Sequence, residues 1–449
     1  MHTTPNQTAH PVMSDLAQAV HDQDLGAQMY ALIEMLYPIC RSITGDGVRT
    51  TLKHLQAHID LQMHEVPTGT EVFDWTVPLE WNIRDAYIKD ASGRRVVDFN
   101  ASNLHVLNYS APVHQVLPLA ELKQRLYSLP EYPDWIPYRT SYYNETWGFC
   151  LSHNQLNALP DGDYEVFIDS TLAPGHLTYG EYIIPGQTRE EVLISCHICH
   201  PSLCNDNLAG ISVAVMLARL LTPVQTRYTY RFVFIPGTIG SITWLATHED
   251  VIPNVKHGFV LTCAGDPGDI TYKRTRRGSA EIDHAMAHVL EQSGGGYRIL
   301  DFTPYGYDER QYCSPAFDMP VGVIMRSLHG TFPQYHTSAD NLDLVQPTYL
   351  VDTLSKCLEL CRILESNRRY INLFPKGEPQ LGKRGIYKAI SGQQHIGFDQ
   401  LALLWVLNYS DGKHTLLDIA ERSGMKFGQI ERAANLLAEH GLLAEADAD

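Results

Sequence analysis

The stretch "EVLISCHICHPSLCNDNLAGISVAVMLARLL" (residues 191–221) joins an apolar run to an amphipathic segment through a loop rich in metal-binding side chains. "EVLISCH" predicts a short buried strand, and "NDNLAGISVAVMLARLL" predicts a helix. His197 then lies at the end of the strand, and Asp206 lies where the helix begins. Because a strand end and the following helix start meet at one edge of a sheet, we expect these two side chains to face each other there.

The same alternation of buried strand, polar loop and helix continues through the centre of the chain. Strands are predicted at "YTYRFVFIP", "HGFVLTCAG" and "VGVIMRS", and helices at "SITWLATHED" and "AEIDHAMAHVLEQSG". Near-continuous apolar strands alternating with helices are typical of an α/β fold with a parallel or mixed sheet flanked by helices. In such sheets, ligands bind beyond the carboxyl ends of the strands.

The sequence divides into three regions of different pattern. Residues 22–60 predict two helices joined by the turn "TGDG", and we group 20–62 with 130–370 as the α/β core. Residues 63–129 contain short alternating segments around the turn "DASGR", which predict a small inserted β domain. After the linker "FPKGEPQLGKRG", residues 380–449 predict three helices with glycine stops and a trailing apolar segment, which is a winged-helix pattern.

Composition narrows the class of partner. The 449 residues carry a formal charge of −17, which argues against binding to nucleic acid or an anionic membrane. No uncharged apolar run of about 18 residues and no signal-peptide pattern is found, and the nine cysteines lack framework spacing. We therefore expect a cytoplasmic protein that binds a small molecule or a short peptide. Whether it forms a homo-oligomer stays open.

A second motif, "FPQYHTSADNLDLV" (332–345), places His336 directly after the strand "VGVIMRS". Neutral imidazoles and a carboxylate are ordinary zinc ligands, so His197, Asp206 and His336 are the predicted metal ligands. The structural alternative, in which Asp206 is a helix cap and His197 a core histidine, stays open. His200 lies in the loop between the first two, as a ligand, a proton shuttle or a loop-stabilising residue.

Two adjacent acids, Asp308 and Glu309, lie in the aromatic loop "YGYDERQYC". A metal-bound water needs a base within hydrogen-bond reach, and we favour Glu309 as that base or acid. A metal role for Asp308 and a surface salt-bridge cluster are the alternatives.

Four residues are candidates for substrate binding. The loop "IPYRTSYYNETWGFC" (136–150) supplies Arg139, Tyr142 and Tyr143, and "YGYDERQYC" supplies Arg310. The fixed donor fork of arginine suits a substrate carboxylate. An aromatic seam between domains is the alternative interpretation of residues 136–150.

The order of a histidine near a strand end, "NDN-x-x-G" and "YHT-x-x-D" resembles the zinc aminopeptidases of the co-catalytic type. "CRSITGDGVRTTL", "WGFC", "CHICHPSLCNDNL" and "DERQYCSPAFDMPVG" further resemble bacterial aminopeptidase-like proteins that join this core to a small β domain and a C-terminal winged helix. The resemblance covers roughly 20–60 and 155–365. It implies a zinc-exopeptidase-like mixed sheet, bound zinc, and hydrolysis of an amide or peptide bond.

The chain departs from this family at two strand ends. The family carries paired glutamates where "RFVFIPGTIGS" has Gly237 and Thr238, and an aspartate where "FVLTCAGD" has Thr262 and Cys263. We therefore expect one zinc ion instead of two. The alternative function is a ligand-binding or regulatory protein that has lost hydrolysis and uses the winged helix as its output.

Overall fold

The computed structural model describes residues 24–141, 143–386 and 400–446. Within them the chain forms two compact units. The first runs to Ala280 and includes Gly296–Cys357, and the second contains Glu281–Gly295 and the chain from Leu358 onward. Tyr142 and the outer limits of the predicted domains, residues 20 and 449, lie outside the described residues.

The first unit is a mixed α/β unit. Its strands are β1 Gln62–Pro67, β2 Glu71–Val72, β3 Trp75–Thr76, β4 Glu80–Lys89, β5 Arg95–Asp98, β6 Val113–Pro118, β7 Leu126–Tyr127, β8 Phe149–Cys150, β9 Asp163–Ala173, β10 His176–Ile184, β11 Glu191–His197, β12 Thr229–Ile235, β13 Val255–Leu261, β14 Ile270–Lys273, β15 Tyr297–Leu300 and β16 Val321–Met325. Its α-helices are Leu25–Leu36, Asp46–Gln56, Leu119–Leu122, His153–Asn157, Gly210–Leu221, Ile239–Thr247 and Glu309–Tyr312, and the helix Pro347–Ser366 starts here.

The main sheet of this unit has the strand order β1-β10-β12-β11-β13-β16-β14-β15. β12, β11, β13 and β16 are mutually parallel. β10 and β14 flank them as antiparallel neighbours, and the edge strand β15 pairs parallel with β14. Every residue of β11 is buried, as a strand covered on both faces requires. Because the four central strands are parallel, the segments that follow His197, Ile235, Leu261 and Met325 all leave the same edge of the sheet.

A buried helix follows β11 and fixes how closely the chain approaches that edge. A Cβ atom at Gly210 would lie 2.2 Å from Asn207 Oδ1 and 2.6 Å from the Leu261 carbonyl oxygen, so only glycine fits there. Among the described residues, one helical stretch, Cys204–Leu221, is long and apolar enough to cross a membrane, and 89% of it is buried inside the protein. Its burial marks it as a core helix.

A second sheet of the same unit has the order β5-β4-β9-β6. It contains the alternating segments predicted within 63–129, but its limits differ from that prediction at both ends. β1 pairs with β10 in the main sheet, while β9 lies between β4 and β6. β9 alternates buried and half-buried residues, so it fits a central position in a sheet with one covered face. The pairing joins segments distant in sequence, which local patterns do not reveal.

The second unit contains the helices Glu281–Gln292, Gln400–Tyr409, Leu416–Ser423 and Phe427–Glu439. A small sheet of β17 Arg369–Asn372, β18 Asp411–Thr415 and β19 Leu443–Glu445 has the order β18-β17-β19. The side chain of Thr415 caps the helix Leu416–Ser423, and Gly424, at φ 68°, ends it. The three predicted C-terminal helices are present. Since β17 pairs with β19, the sheet also takes in residues before the predicted start at 380.

Candidate metal centre

One buried carboxylate lies among three imidazoles at the carboxyl edge of the main sheet. His197, the last residue of β11, has its Nε2 2.8 Å from Asp206 Oδ1, and His336 Nε2 lies 3.0 Å from Asp206 Oδ2. His200 Nε2 is 3.8 Å from the same Oδ2. All three predicted ligands thus lie near one another, but the group whose ligand atoms all lie within 4.8 Å of one another consists of His197, His200 and Asp206. His336 contacts this group through Asp206. We call His197, His200, Asp206 and His336 the Asp206 cluster.

The backbone around Asp206 is held by a second carboxylate. The main-chain N–H groups of Asn205 and Asp206 donate to Asp340 at 2.6 and 3.0 Å. Burial raises the pKa of Asp340 to about 7, against the lowering effect of these two hydrogen bonds. Asp340 belongs to the motif "YHTSAD", so the segment that supplies His336 also fixes the loop that supplies Asp206.

The two asparagines beside Asp206 fasten the loop to the strand ends. Asn207 Nδ2 donates to the carbonyls of His197 and Leu261, both at 3.2 Å, and Asn205 Nδ2 donates to Asp266 Oδ2 at 2.8 Å. A helix cap at this position is not observed. Residues 204–209 form a π-helical turn in which Asp206 and Asn207 have non-helical dihedral angles, and the α-helix begins at Gly210.

Two tyrosine rings orient the imidazoles. The Tyr307 ring stacks on His197 with centroids 5.1 Å apart, and the Tyr335 ring stacks on His336 at 3.9 Å. Sequence reasoning missed both tyrosines, although each lies next to a predicted site residue. Stacking restricts rotation of the two imidazoles and so holds them in place around Asp206.

Arg41 holds the loop between His197 and Asp206 through hydrogen bonds to main-chain carbonyls of that loop. It is 1% exposed, and its Nε and Nη2 donate to the carbonyls of His200 and Pro201 at 2.7 and 2.9 Å, while Nη1 donates to Leu36 at 2.8 Å. Burial lowers the pKa of Arg41 to about 10. The residue lies in the segment "CRSITGDGVRTTL", where the sequence pattern predicts a turn at "TGDG" but not this contact.

The protonation states of the Asp206 cluster suit a divalent metal. Burial opposes the charged form of Asp206, but His200 and His197 outweigh it and hold the pKa of Asp206 well below its ordinary value. Burial lowers the pKa of His200 to about 3, against the attraction of Asp206, so this imidazole is neutral at physiological pH. An ionised carboxylate beside imidazole nitrogens is the nitrogen and oxygen donor set that Zn²⁺ binds, so these residues fit the ion.

A cavity of about 420 Å³ opens beside the cluster. We call it the inner cavity; its lining residues include His197, His200, Thr238, Tyr307, Asp308, Arg310, Tyr335 and His336. Asp308 Oδ1 accepts hydrogen bonds from Thr238 N at 2.7 Å and Ser241 Oγ at 2.9 Å. Its Oδ2 is buried and has no hydrogen-bond partner among the described residues. Burial raises the pKa of Asp308.

Glu309 has different surroundings from its neighbour. It is 0% exposed, and its Oε1 accepts a hydrogen bond from the buried Lys273 Nζ at 2.7 Å. Burial raises the pKa of Glu309, and the Lys273 charge opposes that effect. Proton transfer by Glu309 remains a prediction, but a carboxylate paired with a buried lysine is poorly placed for it.

The candidate substrate residues separate into two places. Arg310 and Tyr143 line the inner cavity, and Arg310 Nη2 donates to Thr238 Oγ1 at 3.2 Å. Arg139 lines a neighbouring cavity of about 540 Å³, which we call the outer cavity. Tyr142 is among the residues outside the described ranges. The loop 136–150 therefore contributes to both cavities.

The strand end that departs from the resembled family forms a strained turn. Ile239 N donates to the Gly237 carbonyl at 2.9 Å across Thr238, whose φ is 63° and ψ is −72°. This γ-turn geometry is unfavourable for a residue with a Cβ atom, and such strain is often found at functional sites. The hydrogen bond from Thr238 N to Asp308 accompanies it, so a carboxylate from another loop contacts this position.

Comparisons with known proteins place the chain among relatives of the same organisation. A family model described as "Domain of unknown function (DUF4910)" matches residues 30–367, and a model described as winged helix-turn-helix matches residues 368–445. A Clostridium acetobutylicum protein described as a polysaccharide biosynthesis protein with an aminopeptidase-like domain is 52% identical over 423 residues, which are 94% of this chain and 97% of that protein.

Solved structures show the same likeness. A crystal structure of a Clostridium acetobutylicum protein described as a peptidase has a TM-score of 0.92 and 50% identity, covering 97% of this chain and 100% of that chain. The structure of BSAP, a zinc aminopeptidase from Bacillus subtilis, has a TM-score of 0.55 and 14% identity, covering 75% of this chain and 94% of that chain. The second likeness shows the fold alone.

These matches confirm the predicted fold class, a mixed sheet flanked by helices with aminopeptidase-like structural neighbours and a C-terminal winged helix. The family match covers most of the first unit, including the Asp206 cluster and both cavities. The chain therefore belongs to the family of the domain of unknown function DUF4910, with an aminopeptidase-like fold followed by a winged helix-turn-helix domain.

Proposed function

We propose that the protein hydrolyses an amide or peptide bond in a small substrate, with one zinc ion held by His197, Asp206 and His336. The observation that carries the proposal is the buried Asp206 carboxylate, which has an imidazole at each oxygen beside the inner cavity. When bound, zinc supplies a Lewis acid for the amide carbonyl and lowers the pKa of a water molecule. His200, 3.8 Å from Asp206, is a candidate fourth ligand or proton carrier.

One ion suits the donors better than two. The strand ends after β12 and β13 carry Gly237, Thr238, Thr262 and Cys263, and none of these is a carboxylate. Cys263 Sγ lies 3.2 Å from the Tyr307 hydroxyl, and burial raises the pKa of its thiol well above the ordinary value. A protonated thiol is a poor metal ligand, since the thiolate is the form that binds.

Asp308 is the residue we assign to proton transfer. Asp308 lines the inner cavity, and its Oδ1 is fixed by Thr238 and Ser241. Its buried Oδ2 has no hydrogen-bond partner among the described residues, as is also true of Glu309 Oε2. Asp308 contacts Thr238, at the position where the resembled aminopeptidases carry a glutamate. We infer that a carboxylate from the loop before the helix Glu309–Tyr312 replaces the glutamate missing from the end of β12.

Arg310 adds the positive group of the inner cavity. Its hydrogen bond to Thr238 Oγ1 holds the guanidinium near the strained turn. A guanidinium in a cavity stabilises negative charge that develops on an amide oxygen, because the surroundings screen it less than water does. Arg310 would therefore act on the carbonyl while Asp308 takes the proton.

The size of the inner cavity and the description of one relative limit the classes of substrate to be tested first. A volume of about 420 Å³ is in the range of small-molecule sites, about 300–1,000 Å³. The relative named for polysaccharide biosynthesis favours an amide carried by a sugar or sugar precursor as the first class to test.

The matched pair Asp308→Asn and Glu309→Gln tests the proposal. Both variants and the wild type are loaded with zinc and assayed on a panel of N-acyl sugars and N-acyl amino acids. We expect Asp308→Asn to lower kcat by about 10²- to 10⁴-fold while retaining zinc, since that is the usual contribution of a general base. Glu309→Gln should change thermal stability more than kcat. Full activity in Asp308→Asn would remove Asp308 from the mechanism, and zinc-loaded wild type that cleaves no amide would favour the ligand-binding alternative.

A further inference from the structure

The outer cavity lies next to the inner cavity, and some residues line both. Both are lined by Tyr138, Thr140, Tyr335 and His336. The Tyr138 ring lies 5.0 Å, between centroids, from both His200 and His336, so it stands at the boundary between the two cavities. A molecule that occupied both cavities would lie against Tyr138 and His336.

The lining of the outer cavity includes one positive side chain, whereas the protein as a whole has a negative net charge. Its other lining residues are Leu107, Tyr127, Leu129, Pro137, Arg139, Ser141 and Thr146. Among the described residues that line it, Arg139 is the one permanent charge and no carboxylate occurs. In a chain with a formal charge of −17, a cavity lined by an arginine and uncharged groups is a candidate site for an anionic group.

Arg139 is held so that its donors are available. Its guanidinium carbon lies 5.4 Å from the centroid of the Tyr127 ring, a cation–π contact that supports the plane of the group. Gly148 leaves room for that ring, because a Cβ atom there would lie 2.8 Å from a Tyr127 ring carbon. No described carboxylate forms an ion pair with Arg139, so its donor fork is not neutralised by the protein in the described ranges.

We propose that the outer cavity binds a carboxylate of the substrate, through Arg139, while the scissile amide lies in the inner cavity. The substrate class is thus an amide that carries a carboxylate remote from the bond cleaved. A carboxylate is favoured over a phosphate dianion because the single positive charge of Arg139 balances one negative charge and not two. This inference rests on the proposed amide hydrolysis for the position of the amide, but the binding of the carboxylate is measurable without it.

A series of matched ligands tests the inference. The probes are N-acetyl-glycine, N-acetyl-β-alanine and N-acetyl-4-aminobutyrate, each compared with its neutral carboxamide and with N-acetyl-aminoethyl phosphate. Binding to the full chain is measured by titration calorimetry at low and high salt, with zinc and after zinc removal. We expect at least one carboxylate to bind about tenfold or more tightly than its carboxamide, with the preference reduced by salt.

The variants identify the residue responsible. Arg139→Gln should abolish the preference for the carboxylate, Arg139→Lys should keep part of it, and Arg94→Gln, an exposed arginine of the turn at Asp90, should leave it unchanged. Equal binding of carboxylates and carboxamides by the wild type, a preference that persists in Arg139→Gln, or a stronger preference for the phosphate would overturn the inference. Carboxylate preference without hydrolysis would remove the proposed function alone, and hydrolysis without the preference would remove this inference alone.

Discussion

Two buried clusters of polar side chains in the main sheet and at its edge differ in how many of their polar atoms have a partner within the protein. Arg231 on β12 forms hydrogen bonds to both oxygens of Glu191, at 2.6 and 2.9 Å, and to Glu181 at 2.7 Å. Trp244 Nε1 donates to the same Glu181 oxygen at 3.1 Å. We call these residues the Arg231 network. Each of its charges faces an opposite charge within the protein.

The Asp206 cluster is incomplete by comparison. Its one ionised carboxylate faces imidazoles, and His197 Nδ1 is buried without a hydrogen-bond partner among the described residues. Asp308, beside it, also has an unpaired oxygen. Unsatisfied buried polar groups cost free energy, so they persist where something else completes them. The comparison thus separates a closed ion-pair network from a cluster with unpaired polar atoms, which is the arrangement expected if the Asp206 cluster binds the ion proposed above.

The largest loss of stability is expected when the Arg231 network is broken. Arg231→Met leaves Glu181 and Glu191 buried without a cation, which should lower the free energy of unfolding by about 3–5 kcal/mol. Chemical denaturation measures it, with Arg84→Met, an exposed arginine paired with Asp169, as the control. A triple variant that also replaces both glutamates by leucine should recover much of the loss. A loss below about 1 kcal/mol in Arg231→Met would remove the contrast between the two groups.

Asp206→Asn should lower zinc affinity strongly and stability only slightly, in contrast to Arg231→Met. We expect zinc affinity to fall by more than about 100-fold, because loss of the groups that orient metal ligands alone costs about 10- to 100-fold. The metal-free protein should lose less stability than Arg231→Met does, since no buried charge is left unpaired. Zinc titration against a competing chelator gives the affinity. Zinc binding that is unchanged in Asp206→Asn would show that the cluster is not the metal site.

Arg41 offers a smaller test of the same cluster, through the loop instead of a ligand. Arg41→Gln removes donors from the carbonyls of His200 and Pro201. We expect zinc affinity to fall by about 10- to 100-fold, because Arg41 orients the loop between two ligands. The exposed Arg84→Gln is the matched control for affinity. If Arg41→Gln changes only the melting temperature, the residue has a structural role alone.

The smallest effect is predicted in the second unit and depends on pH. His288 Nε2 accepts the Phe427 N–H at 3.1 Å, and burial lowers the pKa of His288 from its ordinary value of 6.5. The neutral form is therefore the stable one in the folded state. Its contribution, about 0.5–1.5 kcal/mol, is present above pH 6.5 and lost as the pH falls below it, because the unfolded chain then takes up the proton first.

Denaturation of the wild type and His288→Gln at several pH values measures this contribution. The difference in unfolding free energy should be constant above pH 6.5 and shrink on acidification. A difference that grows as the pH falls would contradict the assigned sign.

That His197 and His336 lie close together was predictable, because both predicted ligands follow strands of the same sheet. His197 and His336 each come after an apolar run, and the parallel order of β11, β13 and β16 places the ends of those runs at one edge. The three helices of the C-terminal region were also predictable, since glycine stops and apolar periodicity are local signals.

What the sequence left undecided depends on contacts between distant segments. Asp308 and Glu309 are adjacent carboxylates, and the chemistry of either side chain permits proton transfer. Asp308 nevertheless lies at the inner cavity, whereas Glu309 faces Lys273 on β14. The turn before the helix Glu309–Tyr312 sets these directions, and no periodic pattern encodes it. The role of Arg41 was hidden for the same reason, because two of its acceptors, the main-chain carbonyls of His200 and Pro201, lie about 160 residues away.

The central claim, that the Asp206 cluster binds one metal ion, is tested most directly by the zinc content of the purified protein. Metal analysis after saturation with zinc and removal of loosely bound ions should give one equivalent per chain in the wild type and none in His336→Ala. Chelation should lower the melting temperature of the wild type and leave that of His336→Ala unchanged. A wild-type protein that retains no zinc, or a His336→Ala variant that retains a full equivalent, would contradict the account.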